Sequence, residues 1–153
     1  MTDLQAIADR VEIEALRGEF TDAGVMHDYD RFASLFTHDG ARMPHIPVEF
    51  VGREEIRAAV GRLQGHWEYF VQTVHPGTIR IEGDTAVGRA YIAEFGRMRD
   101  GSSHLNYSLY HDRYRRTQDG RQFTERLYEI GYLDTTPLAG SAPHPAPGSV
   151  RES

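Results

Sequence analysis

The sequence contains no cysteine among its 153 residues. That excludes disulfide frameworks, thiolate metal sites and cysteine nucleophiles. Lysine is absent too, so all seventeen basic residues are arginine. Schiff-base chemistry on a side-chain amine is therefore excluded. No apolar run approaches the roughly 20 residues of a membrane-spanning helix. The start, MTDLQAIADRVEIEAL, is acidic and amphipathic and has no apolar signal core, so the expected location is cytoplasmic with no membrane partner. Basic residues do not gather beyond Arg113, Arg115 and Arg116, and the formal net charge is −6, so no nucleic-acid partner is expected. There is no phosphate-cradling glycine loop and no Gly-x-Ser-x-Gly elbow. The eight histidines are scattered, with no His-x-x-x-His pair on a helix, so neither a metal nor a cofactor is expected.

What is present suits one soluble domain: 39% hydrophobic residues and 26% charged ones, in a chain long enough to bury a core without cross-links. The spacing predicts a first helix over residues 3–26. Asp3 is its candidate cap, and Leu4, Ile7, Ala8, Val11, Ala15 and Met26 recur at helical intervals. HDYDRFASLF predicts a short second helix, closed by the turn THDG. ARMPHIPVEF reads as an extended edge segment because of Pro44 and Pro47. REEIRAAVGRL predicts a third helix after Gly52. From residue 67 the pattern becomes sheet, a meander of about four long strands with turns at Glu82-Gly83-Asp84, Asp100-Gly101 and Asp119-Gly120. Helices first and strands second means α+β. A curved sheet wrapped around the helices would leave a pocket between the layers. Residues 1–140 read as the domain and 141–153 as a tail rich in Pro, Ala and Gly.

Five stretches hold the candidate chemistry. In WEYFVQTVHPGTIRIEG, His75 precedes a Pro-Gly pair that suggests a bulge in the strand. Its ring is either a satisfied core residue or a general base. Asp22 falls on the expected apolar stripe of the first helix. It either caps and meets solvent or enters the pocket to orient His75 within hydrogen-bond reach. On HLNYSLYHDRY, alternation puts His104, Asn106, Ser108, Tyr110, Asp112 and Tyr114 on one face. That face either lines the pocket or meets solvent. Tyr91 and, in the last strand, Tyr128 are further pocket candidates, with packing as the plainer role for each. Asn106, Ser108, Tyr110, Tyr91 and Tyr128 are thus the candidate substrate-binding residues, and His75 with Asp22 the candidate catalytic pair.

The order HDYDRFASLFTHDGA, VGREEIRAAV, TVHPGTIRIEGDTAVGRAYI, YHDRYRRTQDGRQF and TPLAG resembles the SnoaL-like branch of the nuclear transport factor 2-like superfamily. It looks closest to the scytalone dehydratase and hexachlorocyclohexane dehydrochlorinase branch. The resemblance implies a cone-shaped fold, a mixed or antiparallel sheet around the N-terminal helices, and a homodimer formed through the outer sheet face. It implies a cofactor-independent lyase, isomerase or cyclase using histidine acid/base catalysis on a small hydrophobic, oxygenated molecule. A non-catalytic binding module on the same scaffold is the alternative. His75 falls on that branch's histidine position, whereas Val25 occupies its aspartate position. Phe20 and Tyr128 stand where the dehydrochlorinases use a lysine and an arginine.

Overall fold

The computed structural model describes residues 3–45 and 48–143; the expected tail, from residue 144 on, lies outside the described residues. The first helix, α1 (Leu4–Val25), starts at Asp3, whose carboxylate accepts from the Gln5 N–H at 3.0 Å. The chain turns at His27, a non-glycine residue in the left-handed region (φ 57°). Asp28 caps α2 (Tyr29–Ser34). Two short strands follow, β1 (Arg42–His45) and β2 (Val48–Val51), where a single extended segment was expected. Gly52, at φ 88°, opens α3 (Arg53–Gly65), whose first turn carries Glu54 and Glu55 against the positive helix end.

Four long strands complete the chain: β3 (Trp67–Glu82), β4 (Thr85–Met98), β5 (Ser103–Thr117) and β6 (Gly120–Asp134). They lie in one six-stranded sheet in the order β2-β1-β6-β5-β4-β3. Among the strands of the described residues the β1–β6 pairing alone is parallel, so the sheet is mixed and open, as expected of an α+β cone. The helices cover one face. Phe20 from α1 and Phe32 and Phe36 from α2 and its end meet Tyr110, Tyr114 and Phe123 of the sheet in an aromatic core with ring centroids 4.4–6.3 Å apart.

Two expectations need correction. The buried stripe of α1 is Asp9, Ile13, Leu16, Arg17, Phe20, Ala23 and Gly24. Leu4 and Val11 are 81% and 63% exposed, and Asp22 is on the outward side with them. The true stripe carries Asp9 and Arg17, charges that are buried because each is paired: Asp9 with Arg116 and Arg121, Arg17 with Asp112 and the Tyr114 hydroxyl. A pattern read from apolar residues alone rotates away from it.

The second concerns β3. A bulge interrupts its pairing with β4 between His75 and Thr78. Before the bulge Gln72 and Val74 face the helices; after it Ile79 and Ile81 do. The extra residue changes the alternation, so Ile79 enters the core while Val71, Thr73 and His75 stay exposed on the other face. His75 therefore lies on the outer face, neither in the core nor among the described residues that line the cavity. Proline is tolerated because β3 is an edge strand. Gly77 is required because a Cβ there would lie 1.8 Å from the Arg89 carbonyl oxygen.

Candidate functional site

Between the helices and the sheet lies a cavity of about 240 Å³. Phe20, Phe32, Val60, Trp67, Phe70 and Met98 supply apolar wall from α1, α2, α3, β3 and β4. Exposed Leu63, His66 and Ile130 mark the side on which it opens.

The polar end of the cavity is built on one row across the sheet. Gln72 of β3 pairs with Glu94 of β4, which pairs with Asn106 of β5. All three side chains line the cavity. The Gln72 amide donates to Glu94 Oε2 at 2.9 Å and the Asn106 amide donates to Glu94 Oε1 at 3.2 Å. Tyr128, reaching across from β6, donates its hydroxyl to the same Oε1. The Tyr128 oxygen in turn accepts from Ser108 Oγ at 3.1 Å, and Thr21 of α1 donates to Gln72 Oε1 at 2.8 Å. A chain of donors thus runs from both ends toward one carboxylate and fixes the orientation of every amide in it. Burial, reinforced by the Glu94 charge, raises the pKa of the Tyr128 hydroxyl, which keeps it a donor.

Tyr110 lines the same cavity one strand over and is almost fully buried. Its ring packs on Phe20 and Tyr128, with the Arg126 guanidinium 3.9 Å from its centroid. Burial first, and the Glu94 charge second, raise its pKa. Beneath the floor, Arg126 grips Asp112 through two nitrogens at 2.7 and 3.0 Å. Asp112 also accepts from Tyr114, which accepts from Arg17. Among the described residues, no group of three or more His, Asp or Glu side chains could hold a metal ion, and no helix is long and apolar enough to cross a membrane.

The structure brings together four of the five residues expected to bind substrate: Asn106, Tyr110 and Tyr128 line the cavity, and Ser108 is bonded to Tyr128. Tyr91 is not among them; it lies 44% exposed on the outer face, paired with His75. Asp22 and His75 are not brought together. Asp22 accepts from Arg31 at 2.5 Å on the exposed side of α1, and the His75 ring bonds to Thr73 Oγ1 at 3.2 Å on the outer sheet face. Glu94 and Gln72 were missed by sequence reasoning. Counting back from the Gly83 turn without the bulge sets Gln72 opposite Phe95; only the bulge sets it opposite Glu94.

Residues 5–126 match the family of the SnoaL-like domain. The chain belongs to that family. The chain is also similar to solved structures. A candidate aromatic ring hydroxylase from Novosphingobium aromaticivorans is 26% identical, with 85% of this chain and 94% of that one covered at a TM-score of 0.78. A hexachlorocyclohexane dehydrochlorinase from Novosphingobium barchaimii LL02 is 22% identical, with 94% and 99% covered at 0.81. A candidate scytalone dehydratase from Novosphingobium aromaticivorans DSM 12444 is 14% identical, with 96% and 97% covered at 0.78. These likenesses establish the nuclear transport factor 2-like cone for this SnoaL-like chain. No curated protein matches its sequence.

Proposed function

We propose that this SnoaL-like protein is a cofactor-independent lyase or isomerase acting on a small hydrophobic, oxygenated molecule held in the cavity between helices and sheet. The observation that carries the reading is the cavity itself, an apolar chamber whose polar groups converge at one end. Apolar walls supply affinity through burial, and a few placed polar groups orient a ligand. At about 240 Å³ it falls below the ~300–1,000 Å³ of ordinary ligand pockets, which suits a small substrate. A dehydratase and a dehydrochlorinase are both eliminases, and relatives described in those terms support proton transfer as the shared step.

The test is saturation-transfer NMR with a library of small neutral carbonyl and hydroxyl compounds, comparing the wild type with Leu63→Trp. Leu63 is 40% exposed on the open side of the cavity, so an indole there plugs the entrance with little cost to the core. Ligands should bind the wild type and be lost from Leu63→Trp. Equal binding to both would remove the cavity from the function.

A non-catalytic binding module is the second reading, and one observation favours it: the Asp22–His75 pair is not assembled. Ligand binding without conversion of any bound compound decides for it. We further propose a homodimer through the outer sheet face, where Tyr91, Phe95, Tyr107 and Tyr132 are 39–58% exposed. Sedimentation at micromolar concentration showing only monomer would reject the dimer.

A further inference from the structure

Resting on the cavity reading, we propose that Glu94 is the catalytic base of this protein, that Tyr110 is its oxyanion donor, and that the substrate is a small neutral carbonyl compound with an acidic α-hydrogen. The argument begins with lone pairs. A carboxylate offers about four acceptor positions. Glu94 Oε1 accepts from Tyr128 and Asn106 and is filled; among the described residues Oε2 accepts only from Gln72. One position on Oε2 remains, on a side chain that lines the cavity. The three donors hold the carboxylate in place, so its free position is aimed without freedom to turn away.

Tyr110 is the complementary group. Its hydroxyl makes no hydrogen bond to the described residues, although it is buried and lines the cavity. Its ring is clamped by Phe20, Tyr128 and the Arg126 guanidinium, so the hydroxyl is fixed where a ligand would meet it. Burial and the Glu94 charge hold it protonated, a donor and not an acid that ionises. The open donor of this hydroxyl faces the cavity, where a ligand oxygen can accept from it.

The step balances with these two groups alone. Glu94 Oε2 takes the proton from the carbon next to the substrate carbonyl as that C–H bond breaks. The electron pair moves onto the carbonyl oxygen, which accepts from the Tyr110 hydroxyl. The protonated Glu94 then returns the proton, either to another carbon of the enolate, which is isomerisation, or to a β-hydroxyl that leaves as water, which is elimination. Among the described residues the lining contains no arginine, and the chain contains no lysine, so no described group of fixed positive charge there would hold an anionic substrate beside Glu94.

The experiment uses the full chain, with Glu94→Gln and Tyr110→Phe as near-isosteric variants whose fold is checked by circular dichroism and thermal melting. The first probe is 4-nitrophenol, whose phenolate mimics the enolate and reports its ionisation by absorbance. Glutamine imitates the protonated carboxyl, so Glu94→Gln should bind the phenolate at least ~10-fold more tightly, and Tyr110→Phe at least ~10-fold more weakly. The second readout is α-proton exchange of 2-cyclohexen-1-one, acetophenone and 1-indanone in D2O by NMR. Exchange of at least one should be faster than in buffer and fall at least ~100-fold in Glu94→Gln. A merely structural Glu94 would lower both affinity and exchange together. Phenolate affinity unchanged or weakened in Glu94→Gln, or exchange absent from the wild type or surviving in that variant, overturns the assignment while leaving the cavity reading intact. No binding of any probe to well-folded wild type overturns both.

Discussion

The Arg126 guanidinium lies 3.9 Å from the Tyr110 ring centroid on one side and holds both oxygens of Asp112 on the other. Both members of the ion pair are almost fully buried. The pair thus fixes the aromatic floor on which the cavity rests. Removing Arg126 takes both close guanidinium hydrogen bonds from Asp112 and leaves it the Tyr114 hydroxyl and Arg17 at 3.8 Å, and breaking a buried pair in this way costs about 3–5 kcal/mol. Arg126→Met is therefore expected to destabilise by roughly that amount in urea unfolding. Arg126→Met with Asp112→Leu should recover part of it, because the buried carboxylate is removed with its partner while Arg17 keeps Glu14, the Tyr114 hydroxyl and the Thr78 carbonyl. A double variant no more stable than the single one would show that the stacking on Tyr110, Phe20 and Phe123 matters more than the charge pair.

Gly77 gives a second test, this time of the bulge. A Cβ would lie 1.8 Å from Arg89 O and 2.8 Å from its carbonyl carbon, both backbone atoms that cannot rotate aside. Gly77→Ala should cost about 1–3 kcal/mol, the range for forced overpacking. Hydrogen exchange should localise the damage to the β3–β4 pairing around His75 and Thr78. Protection unchanged there would mean the bulge has room that the close approach denies.

That bulge also explains how much of the site was legible beforehand. The helix-then-meander order, the hairpin turns at Gly83, Gly101 and Gly120, and the grouping of Asn106, Ser108, Tyr110, Asp112 and Tyr114 on one face of β5 follow from turn chemistry and simple alternation, and all are present; that this face is the inward one comes from the structure. What escaped was anything downstream of an irregularity or a paired buried charge. One inserted residue sends His75 outward and sets Gln72 against Glu94. Arg17 and Asp9 hide the buried stripe of α1, because their burial depends on partners roughly a hundred residues away in the chain. Glu94 itself looks like a solvated strand residue until three donors from three other strands surround it.

The turn after α1 carries a pH dependence. Burial, and then the nearby Arg99 charge, lower the His27 pKa below its ordinary value of 6.5. The unfolded chain therefore binds more protons at His27 than the folded one as pH falls below about 6.5, so this contribution is full above that pH and is lost on acidification. Wild-type thermal stability should decline from pH 7.5 to pH 5. The residue also sits at φ 57°, a conformation asparagine tolerates. His27→Asn should keep the turn and show a shallower decline. An identical decline in both proteins would place the acid sensitivity elsewhere.

The last prediction separates the cavity from the pair expected at first. Arg31 draws in Glu19, Asp22 and Asp28 together, so the Asp22 carboxylate is engaged on the exterior of α1, with its side chain 61% exposed. His75 is bound to Thr73 on the opposite surface of the sheet from Gln72 and Val74. Neither reaches the cavity in this arrangement, and general catalysis requires contact within about 2.6–3.2 Å or through one water. His75→Ala and Asp22→Asn should therefore leave ligand affinity and any turnover in the cavity within about twofold of wild type, while Asp22→Asn loses at most the ~1 kcal/mol of an exposed ion pair. The checks are the ligand titration and turnover assays applied to Glu94→Gln, with an unfolding curve for Asp22→Asn. If His75→Ala instead abolished turnover while the protein stayed folded, β3 would have to shift its alternation in the working state to turn His75 inward. The Gln72–Glu94–Asn106 row would then be broken during catalysis, which is the opposite of what the hydrogen bonds from Gln72 and Asn106 to Glu94 favour.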